Sequence, residues 1–276
     1  MRDHERLDRE IAAHYASVPE RDRLAGAGTG GLERVRTWEL LSRHLPPPPA
    51  VVVDVGGAAG VYALPLAAAG YEVHLVDPVA LHVEQARRAS DGQPSAPLAS
   101  ATVGDARRLD RADSSVDAAL LLGPLYHLTE RADRVAALAE ARRVLRPGGV
   151  VAAAAISRFA STYDGLLRGF IHEPGFEEIV ERDVRDGQHR NPTRRPHWFT
   201  TAFFHLPEEL AAEVAEAGLR LHALLAVEGP GWVLPDLAER LADPARGRRL
   251  LAAIRRVEAE PSLLGASAHL LAIANR

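Results

Sequence analysis

Neither cysteine nor lysine occurs anywhere in the 276 residues. Without cysteine there can be no disulfide, no thiolate metal site and no cysteine nucleophile, and the chain is compatible with a reducing compartment. The 33 basic residues are therefore all arginine, a composition that reads as coding bias, although arginine's planar fork is not interchangeable with an ammonium. Aromatics make up only 5% of residues, so any cluster of them is informative. The formal net charge of −4 is the opposite of the basic footprint of a nucleic-acid binder. No apolar run reaches the ~18 residues of a membrane span. The start, Met1-Arg2-Asp3-His4-Glu5-Arg6, lacks the apolar region of a secretory signal. A soluble, cytoplasmic protein is the expectation.

What is present is ample material for a core, with 47% hydrophobic residues, and a length that suits one large domain or one domain with a cap. Residues 1–49 carry Leu7, Ile11, Tyr15 and Leu24, then Leu32, Val35, Leu40 and Leu41, at near-helical spacing. That spacing predicts two helices separated by the glycine-rich stretch 26–31 and ended by the stiff run Pro46 to Pro49. From Ala50 the pattern alternates. Val51-Val52-Val53-Asp54-Val55 is a β-branched run of the kind buried on both faces of a parallel sheet. Further strands are expected over 72–76, 99–103, 116–122 and 150–156, with helices over 61–69, 81–89 and 130–145. The helix over 130–145 is expected to be stopped by Pro147-Gly148-Gly149. This alternation predicts a doubly wound α/β sheet.

Residues 158–206 interrupt that rhythm with Phe159, Tyr163, Phe170, Phe176, Trp198 and Phe199, and read as a cap inserted after the fifth strand. The arginines between 182 and 195 are interleaved with acids, as on a solvated loop face. The α/β pattern returns over 207–276 with a helix over 207–217, a strand over 219–227, a helical pair over 234–258 and a last strand over 266–274. The organisation is thus 1–49, 50–157 as the ligand-binding core, 158–206 as cap, and 207–276 completing the core.

Chemistry concentrates at the first strand-to-helix turn, Asp54-Val55-Gly56-Gly57-Ala58-Ala59-Gly60, with Asp77 closing the next strand. Glycines let backbone approach a ligand, and an acid at the second strand's tip can accept both hydroxyls of a ribose. Dinucleotides and S-adenosylmethionine both suit such a site. The G-x-G-x-x-G spacing of a pyrophosphate site is broken at Ala58, and the carboxylate of Asp54 repels phosphate but can receive an ammonium. The second cofactor is favoured.

Here the chain resembles the class I S-adenosylmethionine-dependent methyltransferases. The resemblance rests on Val52 to Gly60, on Leu75-Val76-Asp77-Pro78, and on Gly104-Asp105-Ala106. It extends to Asp117 to Leu128, ending Gly123-Pro124-Leu125-Tyr126-His127-Leu128, and to Arg143 to Gly149. It covers about residues 50–156, and departs at Ala58, where many members have glycine. It implies a Rossmann-like, mostly parallel seven-stranded sheet with an N-terminal helical lid. Asp77 and Pro78 would then serve the ribose, and Gly104, Asp105 and Ala106 the adenine. Asp54, Gly56, Gly57 and Gly60 would serve the methionine part, Leu122 and Gly123 the floor beneath the sulfonium, and Tyr15 or Arg36 the methionine carboxylate or the acceptor.

His127 and His205 are the candidate general bases, since imidazole titrates near neutral pH. Tyr126, Tyr163, Phe170, His197, Trp198 and Phe199 are the candidate acceptor-binding residues. The histidines 189, 197 and 205 do not share one element with carboxylate support, so no metal is expected. The expected function is methyl transfer to an oxygen, nitrogen or carbon of a small, aromatic metabolite-like molecule by a monomer or homodimer. The alternatives are cofactor binding without methyl transfer, a nicotinamide-dependent oxidoreductase, and RNA modification, which the acidic balance disfavours.

Overall fold

A computed structural model describes Leu24 and residues 28–276. The first helix anticipated from the sequence, with Tyr15, lies outside the described residues. The second, α1 (Thr29–His44), begins earlier than the glycine pattern suggested. Gly28, at φ 99, is its N-cap, and Gly30 and Gly31 belong to its first turn. Its apolar face buries Leu32, Leu40 and Leu41.

The strands β1 (Val51–Val55), β2 (Glu72–Asp77), β3 (Ser100–Val103), β4 (Val116–Leu121) and β5 (Leu145–Ser157) are joined by helices. These are α2 (Ala63–Ala68), α3 (Ala80–Asp91), the single turn α4 (Pro124–His127) and α5 (Arg131–Val144). The strands run parallel in the order β3-β2-β1-β4-β5. β5 starts earlier than expected: Leu145 pairs Val116, and the strand resumes with Val150 opposite Ala118, so 146–149 are absorbed as a bulge. A Cβ on Gly149 would sit 3.0 Å from the Asp117 carbonyl, so only glycine permits that crossing.

After β5 come α6 (Ala160–Arg168), α7 (Phe176–Asp186) and the short strands β6 (Gln188–His189) and β7 (Ala202–His205). Then follow α8 (Pro207–Glu216), β8 (Arg220–Ala226), α9 (Leu237–Ala242), α10 (Pro244–Arg255), α11 (Pro261–Leu264) and β9 (His269–Asn275). β9 runs antiparallel between β5 and β8, which completes a mostly parallel seven-stranded sheet, β3-β2-β1-β4-β5-β9-β8. The hairpin β6–β7 is an addition. β7 joins only Ile156 and Ser157, on the edge of β5 that β4, ending at Leu121 opposite Ala153, leaves open.

Alternation along the strands divides the core into two layers. Val52, Leu75, Leu120, Leu271 and Ile273 face α1, α2 and α3. Val53, Val55, Leu121 and Ala153 face α5 and α8 through Leu138, Leu210 and Val214. Among the described residues no helix is long and apolar enough to cross a membrane.

The second layer contains a buried polar knot. Arg134 of α5 grips Glu213 of α8 at 2.7 and 3.0 Å and lies 3.6 Å above the Phe203 ring, while His205 Nε2 stands 3.2 Å from Glu213. Burial alone would raise the Glu213 carboxyl, but hydrogen bonds from His205 and Arg134 outweigh it and hold it at about 2. A carboxyl lower in the fold than in the unfolded chain stabilises fully above the ordinary glutamate range. That stabilisation disappears as pH falls towards 2. Glu213→Gln is therefore expected to flatten the acid limb of a pH–stability curve. Arg134→Ala, which strands a buried carboxylate, should cost about 3–5 kcal/mol in urea denaturation.

Candidate active site

The carboxyl ends of β1, β2 and β4 converge on the bend at 56–60. The N–H of Gly56 donates to the Val76 carbonyl at 2.7 Å. A Cβ on Gly56 would meet Pro124 Cδ at 2.9 Å, and one on Gly57 would meet Asp54 Oδ2 at 2.7 Å. The bend is thus nearly free of side chains because it is pressed between the start of α4 and Asp54. Gly60, at φ 89, turns the chain into α2. Ala58 takes φ 47, in the region that favours glycine, and its N–H donates to Asp77 Oδ2 at 2.9 Å.

Asp54 is buried, with 1% exposure, and its Oδ2 has no hydrogen-bond partner among the described residues. Burial first, and then the charge of Asp77, push its carboxyl up to about 7, against a backbone hydrogen bond from Ala63. Asp77 is buried too. Its Oδ1 accepts from Val79 N–H at 2.9 Å and lies 3.1 Å from Nδ1 of His82, a residue the sequence reading missed. His82 stands five residues after Asp77, on the buried side of α3. A carboxylate offers about four lone-pair sites, so these contacts orient Asp77 without filling it. Pro78 beside it is exposed.

Gly104 follows β3 where a Cβ would meet Val76 Cγ1 at 2.7 Å. Asp105 is half-exposed and held by Arg107 Nη2 at 2.6 Å. Burial opposes the Arg107 contacts, but they keep its carboxyl below the usual range. Ala106 is buried, and Leu122 and Gly123 are half-buried. A Cβ on Gly123 would lie 3.3 Å from the Gly56 carbonyl. The cofactor candidates from 54 to 123 thus line one edge of the sheet.

Several expectations need correction. Arg36 is wholly buried and spent on the Val227 carbonyl at 2.9 Å, Glu39 at 2.7 Å and Glu258 at 2.5 Å, so it ties α1 to the core instead of reaching a ligand. His205 is 0% exposed, enclosed by Glu213 and Phe203. It has no path to an acceptor proton. Trp198 and Phe170 pack with Phe176 and Ile179 into a small core within the segment that follows β5. Tyr163 stands edge-on to Trp232 in a separate cluster, and His197 is exposed. The remaining aromatics do meet. The His127 ring is stacked 5.9 Å from Phe199 and edge-on to Tyr126 at 4.7 Å. Phe199 holds φ 63 and ψ −169, a conformation that costs of order 1–3 kcal/mol for a side-chain-bearing residue.

Residues 52–149 match the family model described as "Methyltransferase domain". Over that stretch the chain resembles the class I S-adenosylmethionine-dependent methyltransferases. Over 171 residues the chain is 36% identical to malonyl-acyl-carrier-protein O-methyltransferase from Methylococcus capsulatus, covering 57% of this chain and 59% of that relative. The chain thus spans about three fifths of the length of the curated relative it matches. A SAM-dependent methyltransferase structure from Methanosarcina mazei superposes with a TM-score of 0.57 at 17% identity, covering 86% of this chain and 96% of that one. The geranyl diphosphate C-methyltransferase of Streptomyces coelicolor gives 0.54 at 15%, covering 88% and 79%. The cyclase SpnF gives 0.55 at 18%, covering 88% and 81%. These likenesses show the fold of the methyltransferase domain and its extensions.

Because Ala58 carries the one backbone conformation in the bend that favours a different residue, Ala58→Gly is expected to raise the denaturation midpoint, by up to about 1 kcal/mol, while keeping the N–H bonded to Asp77.

Proposed function

We propose that this chain transfers the methyl group of S-adenosylmethionine to an oxygen, nitrogen or carbon atom of a small molecule. The observation that carries the reading is the unpartnered, buried Oδ2 of Asp54 beside a bend with no room for side chains. A buried carboxylate oxygen without a partner is costly, and the ammonium of an amino-acid moiety relieves it, directly or through water. A pyrophosphate would instead add negative charge next to two acids, which argues against a dinucleotide.

In this reading Asp54, Gly56, Gly57 and Gly60 hold the methionine part, and Asp77 and Pro78 the ribose. Gly104, Asp105 and Ala106 hold the adenine, and Leu122 and Gly123 form the floor. When bound, the cofactor supplies a methyl group already activated on a sulfonium. The chain's task is to align a nucleophile behind that methyl and exclude water. Tyr126, His127 and Phe199 make the wall against which a small, aromatic-compatible acceptor packs, and residues 158–206 cap it. The Methylococcus relative, by its name an O-methyltransferase, supports an oxygen acceptor. We place the protein in the cytoplasm as a monomer or homodimer, without nucleic acid. Incubation with methyl-labelled donor and candidate acceptors tests transfer directly, and retention of all label on the donor would sink it.

Two outcomes are expected for the cofactor. Asp77→Ala should weaken S-adenosylhomocysteine binding in calorimetry by on the order of 2–3 kcal/mol. Asp54 has a folded value of about 7, above its unfolded one, so ionising it costs the unliganded fold stability as pH rises from about 4 to about 7. Affinity for the ammonium should rise over the same range. Asp54→Asn is expected to stabilise the unliganded protein at neutral pH, weaken S-adenosylhomocysteine binding and abolish its pH slope.

A further inference from the structure

The stretch between Asp243 and Glu258 carries five arginines and no acid, in a chain whose net charge is −4. It folds as α10 (Pro244–Arg255), with Arg256 as the C-cap and with Gly247 and Ile254 on its buried side. A Cβ on Gly231 would stand 2.7 Å from Ile254 Cδ1, and the Ala226 N–H donates to the Glu258 carbonyl at 2.7 Å. The last turn of α10 is thereby seated on the carboxyl end of β8. β8 and β5 are both antiparallel to β9, so this is the edge at which β1, β2 and β4 also end. Three strand spacings separate β8 from β4, about 14 Å.

Arg248, Arg249 and Arg256 are exposed and form no ion pair among the described residues. The acids around them are already engaged. Asp243 caps α10 by accepting from the N–H groups of Ala245 and Arg246, and Asp236 binds Arg240 and Arg246. Glu39 binds Arg36 and Arg255, and Glu258 binds Arg36 and Arg43. By helical spacing 248, 249, 252 and 256 share one side, opposite Gly247 and Ile254. Arg249 and Arg256 stand two turns apart, about 10.5 Å, and Ala252 between them is too short to hold a partner off. The arrangement works against the helix that carries it. Arg246 and Arg249 are like charges three positions apart, and Arg246 lies in the first turn, where the helix dipole disfavours a cation. Charges of mixed sign would keep a face wet without that cost.

We infer that the outer face of α10 docks an acidic partner protein, through a helix of that partner whose carboxylates recur two turns apart. Those carboxylates meet Arg249 and Arg256, with Arg248 beside them. Charge complementarity selects this occupant. The exposed residues of the face are arginine and alanine, so it lacks the large apolar side chains with which a helix enters a lipid surface. The negative charge of the whole chain repels the long polyanion of a nucleic acid, yet leaves short-range pairing with a few carboxylates intact. Each exposed pair contributes little by itself, so docking needs several at once and weakens with salt. A partner seated there stands beside the edge that carries the candidate site, on the same side of the molecule as the tips of β1, β2 and β4.

Fluorescence anisotropy on the full chain tests this, with a labelled three-heptad helical peptide bearing paired glutamates at seven-residue intervals. The control is a peptide of the same composition with the glutamates scrambled. The wild type should prefer the ordered peptide, with an affinity that falls as salt is added. Arg249→Gln together with Arg256→Gln should weaken binding about tenfold. Arg248→Glu together with Arg249→Glu should abolish it while leaving Tm unchanged or raised, because the new carboxylate at 249 pairs with Arg246. Arginines serving only the fold would lower Tm instead, and that result overturns the inference. So does equal binding of the two peptides, or of neither. Single-stranded RNA or phosphatidylglycerol vesicles held more tightly than the peptide, and released by the same substitutions, would reassign the face to a nucleic acid or a membrane. Self-association in sedimentation that those substitutions abolish would reassign it to a second copy of this chain. S-adenosylhomocysteine affinity, measured in parallel, should be the same in the wild type and the variants, which keeps this test separate from that of the cofactor reading.

Discussion

Two acids placed side by side at the tips of adjacent parallel strands govern this molecule. Asp54 and Asp77 are both buried, and like charges in a dry setting cannot both remain ionised and unpartnered without penalty. The fold resolves one and leaves the other. Asp77 is satisfied by the N–H groups of Ala58 and Val79, which also fixes the shape of the bend. Asp54 Oδ2 is left without a partner. The same constraint sets the residue choice in the bend, because Gly57 has Asp54 where a side chain would go. The electrostatic asymmetry and the missing side chains are one feature seen twice.

Much of this was legible in the sequence because it is local. β-Branched runs, the glycine bend, Asp77 and the strand–helix alternation all lie within short windows, and the central sheet follows from them. Boundaries failed where a bulge or cap made the decision. The bulge at 146–149 extended β5 backwards, and Gly28 allowed α1 to start before two further glycines. The long-range polar contacts were out of reach. Arg36 meets Glu258 across 222 positions, and His205 and Arg134 share a glutamate whose neighbourhood exists only once α5 and α8 pack. His269 and Glu228 are 41 positions apart, in segments with no motif. Trp198 and Phe170 differ for a simpler reason: an inserted segment needs a core of its own, and scarce aromatics fill it first.

The absence of lysine has a structural counterpart. Arg36, Arg134 and Arg158 are almost entirely buried, each making bonds in several directions at once. Arg158 donates to the Phe204 carbonyl at 2.8 Å and to Glu209 at 2.5 Å. A guanidinium can stitch three elements because its donors radiate in a plane. These side chains fasten α1, the β6–β7 hairpin and α8 to the sheet at points where an ammonium would satisfy fewer acceptors.

The segment 158–206 meets the sheet through a narrow seam. β7 pairs with β5 only at Ile156 and Ser157, and the adjoining Arg158 N–H reaches the His205 carbonyl at 2.8 Å, so the inserted segment leaves and returns at nearly one point in space. Entry and exit stitched together in this way make the segment exchangeable. The stretch between them can be lengthened, shortened or replaced while the carboxyl ends of β1, β2 and β4 remain in register.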